Sequence, residues 1–464
     1  MPAAEISLDR DPLGIGGEFA VAVRAVSSGG GAVRRTNRAS YAIVLDASQS
    51  MSWAAEPSGG TSRWALALQA VDELLRLLPD GDELHVVAFN NVARVIAQDT
   101  TVAELRASGR VAKEPAPEYG ITNIEAGLSL AYELLARSTA PAKRAILMSD
   151  GEPNDGATSP QALAALAERA ADRDIYTDTI GLGAGADIDL LMGISARGSN
   201  GHVPSAEGAR QVIAETVGRL ALQGQNLAAS GGEVDLEIHP LFPVEAVYQL
   251  EPVQRRLEIS AGTGPDGAQT VRIPLGAVGT GDQEPLYALR LRAPNKIVNK
   301  SLEIVKASGS LRTVAGVVAL DPSSAAIRGI AEKPEMRLDR VMVRIKTTDL
   351  EAVVARQLKE NASAAHAGIY RAALERALSE GLDALAEDYQ RALRGLESGL
   401  DANDVRNEQR SRSSTNTSGV NETLRKRSTL DPRIGPLRGE GPRVVGRTRS
   451  DRLPSGVEER TEGW

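Results

Sequence analysis

Short apolar runs alternate with helical patterns over residues 40–222, and this alternation constrains the fold more than any other feature of the chain. Residues 41–45 form a continuous apolar run, which is typical of a central parallel strand that is covered on both faces. Further strands are predicted at 84–89, 92–97, 145–149 and 175–181, and helices at 64–78, 124–136, 161–172 and 206–222. Repeated strand–helix units predict a doubly wound, mostly parallel, Rossmann-like sheet. In such sheets, ligands bind at the carboxyl ends of the strands.

The 464 residues are too many for one ordinary domain, and the sequence changes its pattern after this α/β unit. Residues 232–347 carry short alternating strands separated by Gly, Pro, Asn and Asp, which predicts an antiparallel β-sandwich whose last strand lies at 340–347. Residues 349–399 return to a helical period with a break near 361–368, and they predict an antiparallel helical pair with Leu374, Leu378 and Leu382 on its apolar face. The predicted fold class is therefore multidomain, α/β plus β.

Both ends of the chain differ from these regions. The N-terminal segment, residues 1–39, contains a strand near Phe19 that is a candidate member of the β-sandwich, which would make the α/β unit an insertion. Residues 400–464 are basic and rich in Ser and Thr, with few large apolar groups. Such a segment cannot bury enough surface to offset its chain entropy, so we expect a disordered tail.

Composition excludes several classes of protein. The chain has no cysteine, which excludes disulfides, zinc ribbons, iron–sulfur sites and thiol nucleophiles. Only 3% of the residues are aromatic, so the cores depend on Ala, Val, Leu and Ile. The net charge of −8 argues against a nucleic-acid-binding body. No run of about 18 apolar residues is present, and the first residues lack the basic and apolar regions of a signal peptide, so we expect a cytoplasmic protein.

Five oxygen-bearing side chains are predicted to meet at one end of the α/β sheet. Asp46, Ser48 and Ser50 alternate directly after the first strand, Thr122 begins a helix, and Asp150 ends another apolar strand before a Gly turn. Carboxylates and hydroxyls are hard ligands, suited to Mg²⁺, Mn²⁺ or Ca²⁺. Taken singly, Thr122 is equally well interpreted as a helix N-cap and Asp150 as a turn residue.

The order Asp-x-Ser-x-Ser, Gly-x-Thr-Asn and Ser-Asp-Gly resembles the metal-ion-dependent adhesion site of the von Willebrand factor type A (VWA) domain. The resemblance covers about residues 40–222 and matches every residue of the five-residue pattern. It implies that Ser48 and Ser50 bind a divalent ion directly and Thr122 directly or through water. It implies that Asp46 and Asp150 act directly or through water, depending on the state of the site.

The chemistry of such a site favours binding. Neutral hydroxyls leave a Mg²⁺ ion short of negative charge, so an open coordination position attracts a carboxylate. In the resembled family a partner protein's Asp or Glu typically supplies that carboxylate. The sequence therefore predicts a non-catalytic module that binds an acidic side chain of another protein through the ion.

The wider layout resembles bacterial cytoplasmic VWA proteins, which implies an adaptor or scaffold role beside Ser/Thr kinases and forkhead-associated domains that read phosphothreonine. Thr423 and Thr429 flank a Leu-Arg-Lys-Arg run, and with Thr415 and Thr417 they are candidate phosphorylation sites in the tail. An inert solubilising tail is the alternative. Bacterial A domains also partner AAA-type ATPases, and the sequence does not decide between kinase-associated partners and an ATPase. It also leaves open a purely structural site, in which the metal only joins three loops.

An enzyme is the main competing interpretation. An Asp that ends a first strand is also found in phosphoryl-transferring haloacid-dehalogenase enzymes, but these need a second Asp two residues later, where this chain has Ser48. The sequence shows neither a Gly-x4-Gly-Lys-Ser/Thr phosphate loop nor a Gly-x-Ser-x-Gly elbow. We therefore expect no catalytic activity.

Overall fold

The computed structural model describes residues 2–8, 13–26, 38–55, 59–203, 227–251, 254–259, 261–264, 266–276, 278–279, 285–313, 316–331, 340–402, 405–406 and 409. All of them belong to one compact unit, Met1–Ser418. The helix predicted at 206–222, the candidate phosphorylation sites Thr423 and Thr429 and most of the tail predicted at 400–464 lie outside the described residues. The predicted start of the tail at residue 400 is wrong, because Ala402, Val405 and Gln409 are buried. None of the described helices is long and apolar enough to cross a membrane.

Three strands precede the α/β unit: β1 (Ala3–Leu8), β2 (Leu13–Gly14) and β3 (Glu18–Val26). The α/β sheet then contains six strands: β4 (Ala39–Asp46), β5 (Glu83–Phe89), β6 (Ala93–Thr101), β7 (Ala142–Ser149), β8 (Ile175–Leu182) and β9 (Asn200–Val203). Their order across the sheet is β6-β5-β4-β7-β8-β9. All neighbours are parallel except β6, which pairs antiparallel with β5 at the edge. The doubly wound, mostly parallel sheet predicted from the sequence is therefore confirmed.

Within the described residues, five helices flank this sheet: α1 (Arg63–Leu77), α2 (Val102–Ser108), α3 (Ile124–Arg137), α4 (Pro160–Ala171) and α5 (Ile188–Ile194). Every residue of β4 is buried, and successive side chains point to opposite faces of the sheet. Ile43 packs with Trp64 in the core on the α1 side, whereas Val44 packs with Tyr132 in the core on the α3 side. Helices on both faces bury β4 in the centre, which explains its unbroken apolar sequence.

The β-sandwich has two antiparallel sheets. Its strands are β10 (Leu227–Ala229), β11 (Gly231–Ile238), β12 (Val244–Glu251), β13 (Arg255–Leu257), β14 (Gly262–Thr263), β15 (Gln269–Leu275), β16 (Val278–Gly279), β17 (Leu286–Arg292), β18 (Leu302–Thr313), β19 (Gly316–Ala319), β20 (Ser323–Ile327) and β21 (Ile330–Ala331). One sheet has the order β1-β3-β17-β12-β13, and the other β14-β15-β11-β18-β19 with β20 also on β18. The strand near Phe19 is β3, which pairs antiparallel with β17. The chain thus leaves this sheet to form the α/β unit and returns to it afterwards.

The last strand predicted for the sandwich is wrong. Residues 340–347 begin a helix, α6 (Arg340–Glu360), instead of forming a strand. The alternation of apolar and polar residues there fits a strand, but Met342 and Ile345 are spaced for one helix face and both pack on Tyr248 and its neighbours in the first sheet. Packing against an existing sheet therefore decides between two local patterns.

Three helices, not the predicted pair, occupy residues 340–397, which the structure describes without a gap. After α6 the chain forms α7 (His366–Ser379) and α8 (Asp383–Glu397). Gly381 has a φ of +69° between α7 and α8, and this left-handed conformation ends the pattern that the sequence predicts as one continuous helix. Leu378, predicted on the apolar face, is 59% exposed, because the buried stripe of α7 runs through Tyr370, Ala373 and Ala377 and leaves Leu378 beside it.

Candidate metal centre

The first loop of the site follows β4, which ends at Asp46. One carboxylate oxygen of Asp46, Oδ1, accepts a hydrogen bond of 2.9 Å from the backbone N–H of Ser48, and the Oγ atoms of Ser48 and Ser50 lie 3.1 Å apart. Asp46 and Ser48 are buried, and Ser50 is partly exposed. The short turn after the strand therefore holds a carboxylate and two hydroxyls together.

The second loop carries Thr122, which is buried. The residue that caps helix α3 is Asn123, whose Oδ1 accepts the backbone N–H of Ala126 at 2.9 Å. The N-cap interpretation of Thr122 is therefore wrong. The backbone N–H of Thr122 donates to Asn154 Oδ1 at 2.7 Å, which fixes this loop to the one that follows β7.

The third loop begins after β7 with Asp150, which is fully buried. The preceding Ser149 donates its hydroxyl proton to Asp46 Oδ2 at 2.5 Å and accepts the N–H of Gly151 at 2.9 Å. Gly151 has a φ of +73°, so the turn at this point favours glycine. Ser149 thus links the end of β4 to the end of β7.

Backbone hydrogen bonds join the three loops to one another. The N–H of Gln49 in the first loop donates to the carbonyl of Gly120 at 3.1 Å. The carbonyl of Thr122 accepts the N–H of Asn154 at 3.0 Å. All five predicted ligands therefore lie on three loops that are hydrogen-bonded to one another at the carboxyl end of the sheet.

A guanidinium group that the sequence analysis missed also reaches this assembly. Arg63, the first residue of α1, places Nη1 2.7 Å from Asp150 Oδ2 and 3.4 Å from the carbonyl oxygen of Ser50. Gly183 makes room for it, since a Cβ built on Gly183 would lie 2.7 Å from Arg63 Nε. Arg63 and Asp150 are 87 residues apart, so only the packing of α1 brings them together. Ser149 was missed as well, although it directly precedes Asp150 in the sequence.

The electrostatics of the site call for additional positive charge. Burial, and next the negative charge of Asp150, raise the pKa of Asp46 to about 7, while hydrogen bonds from Ser149 and Ser48 oppose the rise. Asp150 Oδ1 is buried and has no hydrogen-bond partner among the described residues, although Arg63 pairs with the other oxygen. A buried, unpartnered carboxylate oxygen beside a second carboxylate and hydroxyls fits a hard divalent cation. The residues therefore fit the metal that the sequence predicts.

Another group of potential ligands lies at the opposite end of the same sheet. Glu83, His85 and Asp99 offer ligand atoms within 4.8 Å of one another. His85 Nδ1 accepts the backbone N–H of Asp99 at 3.1 Å, so this nitrogen is already used. β5 begins at Glu83, whereas β4, which pairs parallel with it, reaches Asp46 beside Phe89 at the other end of β5. This group is separate from the predicted ligands.

Comparison with known proteins gives one match within the α/β unit and two that extend over most of the chain. The model of the von Willebrand factor type A domain matches residues 41–152. A von Willebrand factor type A structure from Catenulispora acidiphila is 17% identical, with a TM-score of 0.66, and the match covers 89% of this chain and 96% of that one. The ArnB paralog VWA2 from Sulfolobus acidocaldarius is 16% identical, with a TM-score of 0.51, and the match covers 89% and 98%. These two likenesses show the fold, and a search of curated proteins gave no match.

Proposed function

From the premise that this chain is a VWA-domain protein, we propose that it binds a partner protein through a divalent cation, with an Asp or Glu of the partner reaching the metal. The observation that carries the proposal is the unpartnered, buried Oδ1 of Asp150 beside Asp46 and the paired hydroxyls of Ser48 and Ser50. Asp46, Ser48, Ser50, Thr122 and Asp150 would hold the ion, with Mg²⁺ preferred and Mn²⁺ or Ca²⁺ as alternatives. The bound ion supplies positive charge and a coordination position for an incoming carboxylate.

Each residue has a defined part in this proposal. Ser149 fixes the Asp46 carboxylate through its hydroxyl, and Arg63 fixes one oxygen of Asp150, which leaves the other oxygen available. The hydroxyls of Ser48 and Ser50 add no negative charge, so the site retains an attraction for an external acid. The polar atoms are oriented before a partner arrives, which lowers the cost of binding.

Binding is favoured over catalysis by the residues at the site. The position two residues after Asp46 is Ser48, which cannot act as a general acid or base at neutral pH. His85 is buried at the far end of β5, and His202 Nε2 is bonded to the carbonyl of Gly183 at 2.8 Å. No described histidine therefore lies on the three loops. We propose a non-enzymatic role on these grounds.

A capture experiment tests the proposed function. The full chain is immobilised, and proteins from native cells are bound in Mg²⁺ and released with EDTA. We expect partner recovery that depends on Mg²⁺ and that is lost in Thr122→Val but retained in Thr122→Ser, which keeps the hydroxyl. Equal recovery with and without chelator contradicts the proposal.

The proposal also includes the location of the protein in the cell and the classes of its partners. We propose an adaptor or scaffold in the bacterial cytoplasm, with a Ser/Thr kinase, a forkhead-associated domain or an AAA-type ATPase among its partners. In the kinase case, Thr423 and Thr429 are the expected phosphorylation sites. The sequencing of phosphopeptides from the native protein tests this. A tail without phosphothreonine contradicts the proposal that a kinase phosphorylates it.

A further inference from the structure

Aromatic side chains are scarce in this protein, and their distribution is uneven. The chain has three Trp, eight Tyr and three Phe, and Trp464 lies outside the described residues. Trp53 is 56% exposed and Tyr119 is 76% exposed, whereas every other described aromatic residue is at most 3% exposed. Trp53 and Tyr119 are therefore the two exceptions among the described aromatic residues.

Backbone hydrogen bonds place both aromatic residues near the loop that follows β4. The N–H of Trp53 donates to the carbonyl of Ser50 at 3.1 Å. Tyr119 precedes Gly120, whose carbonyl accepts the N–H of Gln49 at 3.1 Å. Trp53 therefore lies three positions after Ser50, to which it is hydrogen-bonded. Tyr119 lies next to Gly120, which is hydrogen-bonded to Gln49.

Two exposed aliphatic residues extend this surface. Ile121 is 40% exposed and donates its N–H to Asn91 Oδ1 at 3.1 Å. Val92, which follows Asn91 in the chain, is 68% exposed. We name the four residues Trp53, Val92, Tyr119 and Ile121 the apolar collar. Exposed apolar residues that cluster around a polar site are typical of interaction surfaces, and aromatic residues commonly contribute most of the binding energy there.

Two exposed carboxylates lie beside the apolar collar, whereas the exposed cation Arg94, two residues from Val92, is already paired with Glu114 at 2.5 Å. Glu118 precedes Tyr119, and Glu152 follows Asp150 by two residues; both side chains are exposed. An exposed carboxylate repels further acids on a partner and attracts Lys or Arg. A strongly acidic segment therefore fits this surface poorly, although one acid can reach the metal.

We propose that the apolar collar binds a protein segment in which a single Asp or Glu is flanked by large apolar residues, with Lys or Arg further along the segment. This inference rests on the proposed function, because the acid is the group that reaches the metal. It adds the chemistry of the flanking residues, which the metal site alone does not specify.

A peptide library tests the proposal. Random nonapeptides with a central Asp, displayed on beads, are selected on the full-length protein in Mg²⁺ and released with EDTA. We expect the released peptides to be enriched in Leu, Ile, Val, Phe and Trp beside the Asp and in Lys and Arg further out. A released pool that is polyacidic, or that shows no apolar enrichment, contradicts the apolar collar while leaving the proposed function intact. Peptides that EDTA does not release contradict the proposed function itself.

Variants of the collar give a second test. We expect Trp53→Ala/Tyr119→Ala to weaken the selected peptides about tenfold or more, with the affinity for Mg²⁺ changed less than about twofold. Leu378→Ala, which removes an equally exposed apolar side chain from α7, serves as the matched control and is expected to bind normally. Unchanged peptide affinity in the collar variant overturns the inference. Sedimentation in Mg²⁺ and in EDTA adds a further check, since a metal-dependent dimer that Trp53→Ala/Tyr119→Ala abolishes would mean that a second copy covers the collar, which also overturns the inference.

Discussion

Two regions of the α/β sheet bury carboxylates, and the protein partners them to different extents. Asp178 in β8 accepts hydrogen bonds of 2.5 and 2.7 Å from the guanidinium of Arg144 in β7 and one of 2.8 Å from the N–H of Ser199. At the carboxyl end, Asp150 pairs with the guanidinium of Arg63, and Asp46 accepts hydrogen bonds only from the neutral donors Ser48 and Ser149 among the described residues. The group around Asp178 is electrically balanced, whereas the pair at the carboxyl end has one positive charge for two carboxylates.

The difference separates a structural ion pair from the proposed binding site. A buried acid whose two oxygens are both occupied by donors of the same fold has no capacity for a ligand. A buried acid with an unpartnered oxygen, such as Asp150, retains this capacity. Burial of a charge alone therefore does not distinguish a candidate site from a structural ion pair. An incomplete set of hydrogen-bond partners, as at Asp150, does.

The largest expected effect comes from breaking the balanced pair. Asp178→Asn leaves the buried Arg144 guanidinium without its counter-ion and is expected to lower the free energy of unfolding by about 3–5 kcal/mol. The matched substitution Asp150→Asn, studied in EDTA, should cost much less, because it removes one of two adjacent carboxylates and keeps an oxygen for Arg63. Urea denaturation followed by circular dichroism measures both. Equal losses would show that the two regions do not differ.

The pH dependence of stability gives an intermediate effect. In the metal-free protein the pKa of Asp46 is about 7, against an ordinary value of 3.8. Between these values the folded state holds a proton that the unfolded state has released, so the free energy of unfolding falls as the pH rises from about 4 to about 7. One proton limits the slope to about 1.4 kcal/mol per pH unit.

The control for this prediction is Asp46→Asn, which cannot titrate. We expect the fall with pH to be smaller in this variant and smaller in the native protein when Mg²⁺ is present, because the cation favours the charged carboxylate. Urea titrations at a series of pH values measure the slopes. Identical slopes in the native protein and in Asp46→Asn would show that Asp46 titrates normally.

The smallest effect concerns the guanidinium of Arg63, which pairs with Asp150. Arg63→Gln removes a positive charge beside Asp150, so we expect Mg²⁺ to bind about fivefold more tightly, or ~1 kcal/mol. Arg63→Lys keeps the charge and should stay within about twofold of the native affinity. Isothermal titration calorimetry measures both. Weaker binding in Arg63→Gln would mean that Arg63 serves mainly to position Asp150.

Much of the fold and the candidate ligand set could be predicted because both depend on local patterns. An unbroken apolar strand such as residues 41–45 indicates a covered parallel sheet, and parallel strands bring their carboxyl ends to one edge. The alternation of Asp46, Ser48 and Ser50 after that strand then places three oxygens together. These inferences need no knowledge of how distant elements pack.

The rest could not be predicted because it depends on tertiary packing. Arg63 meets Asp150 only through the position of α1 on the sheet, and Gly183 makes the space for it. The helix α6 carries a strand-like alternation that packing on the sandwich overrides. The left-handed turn at Gly381 divides a helical pattern that reads as continuous in the sequence.

Titration of the EDTA-treated protein with Mn²⁺, followed by electron paramagnetic resonance, tests most directly whether these loops hold a cation. The account predicts one site in the native chain, competed by Mg²⁺, lost in Ser48→Ala/Ser50→Ala, and retained in Ser52→Ala, which removes an exposed hydroxyl from the same turn. A native protein that binds no Mn²⁺, or a double variant that binds it as tightly as the native protein, would contradict it.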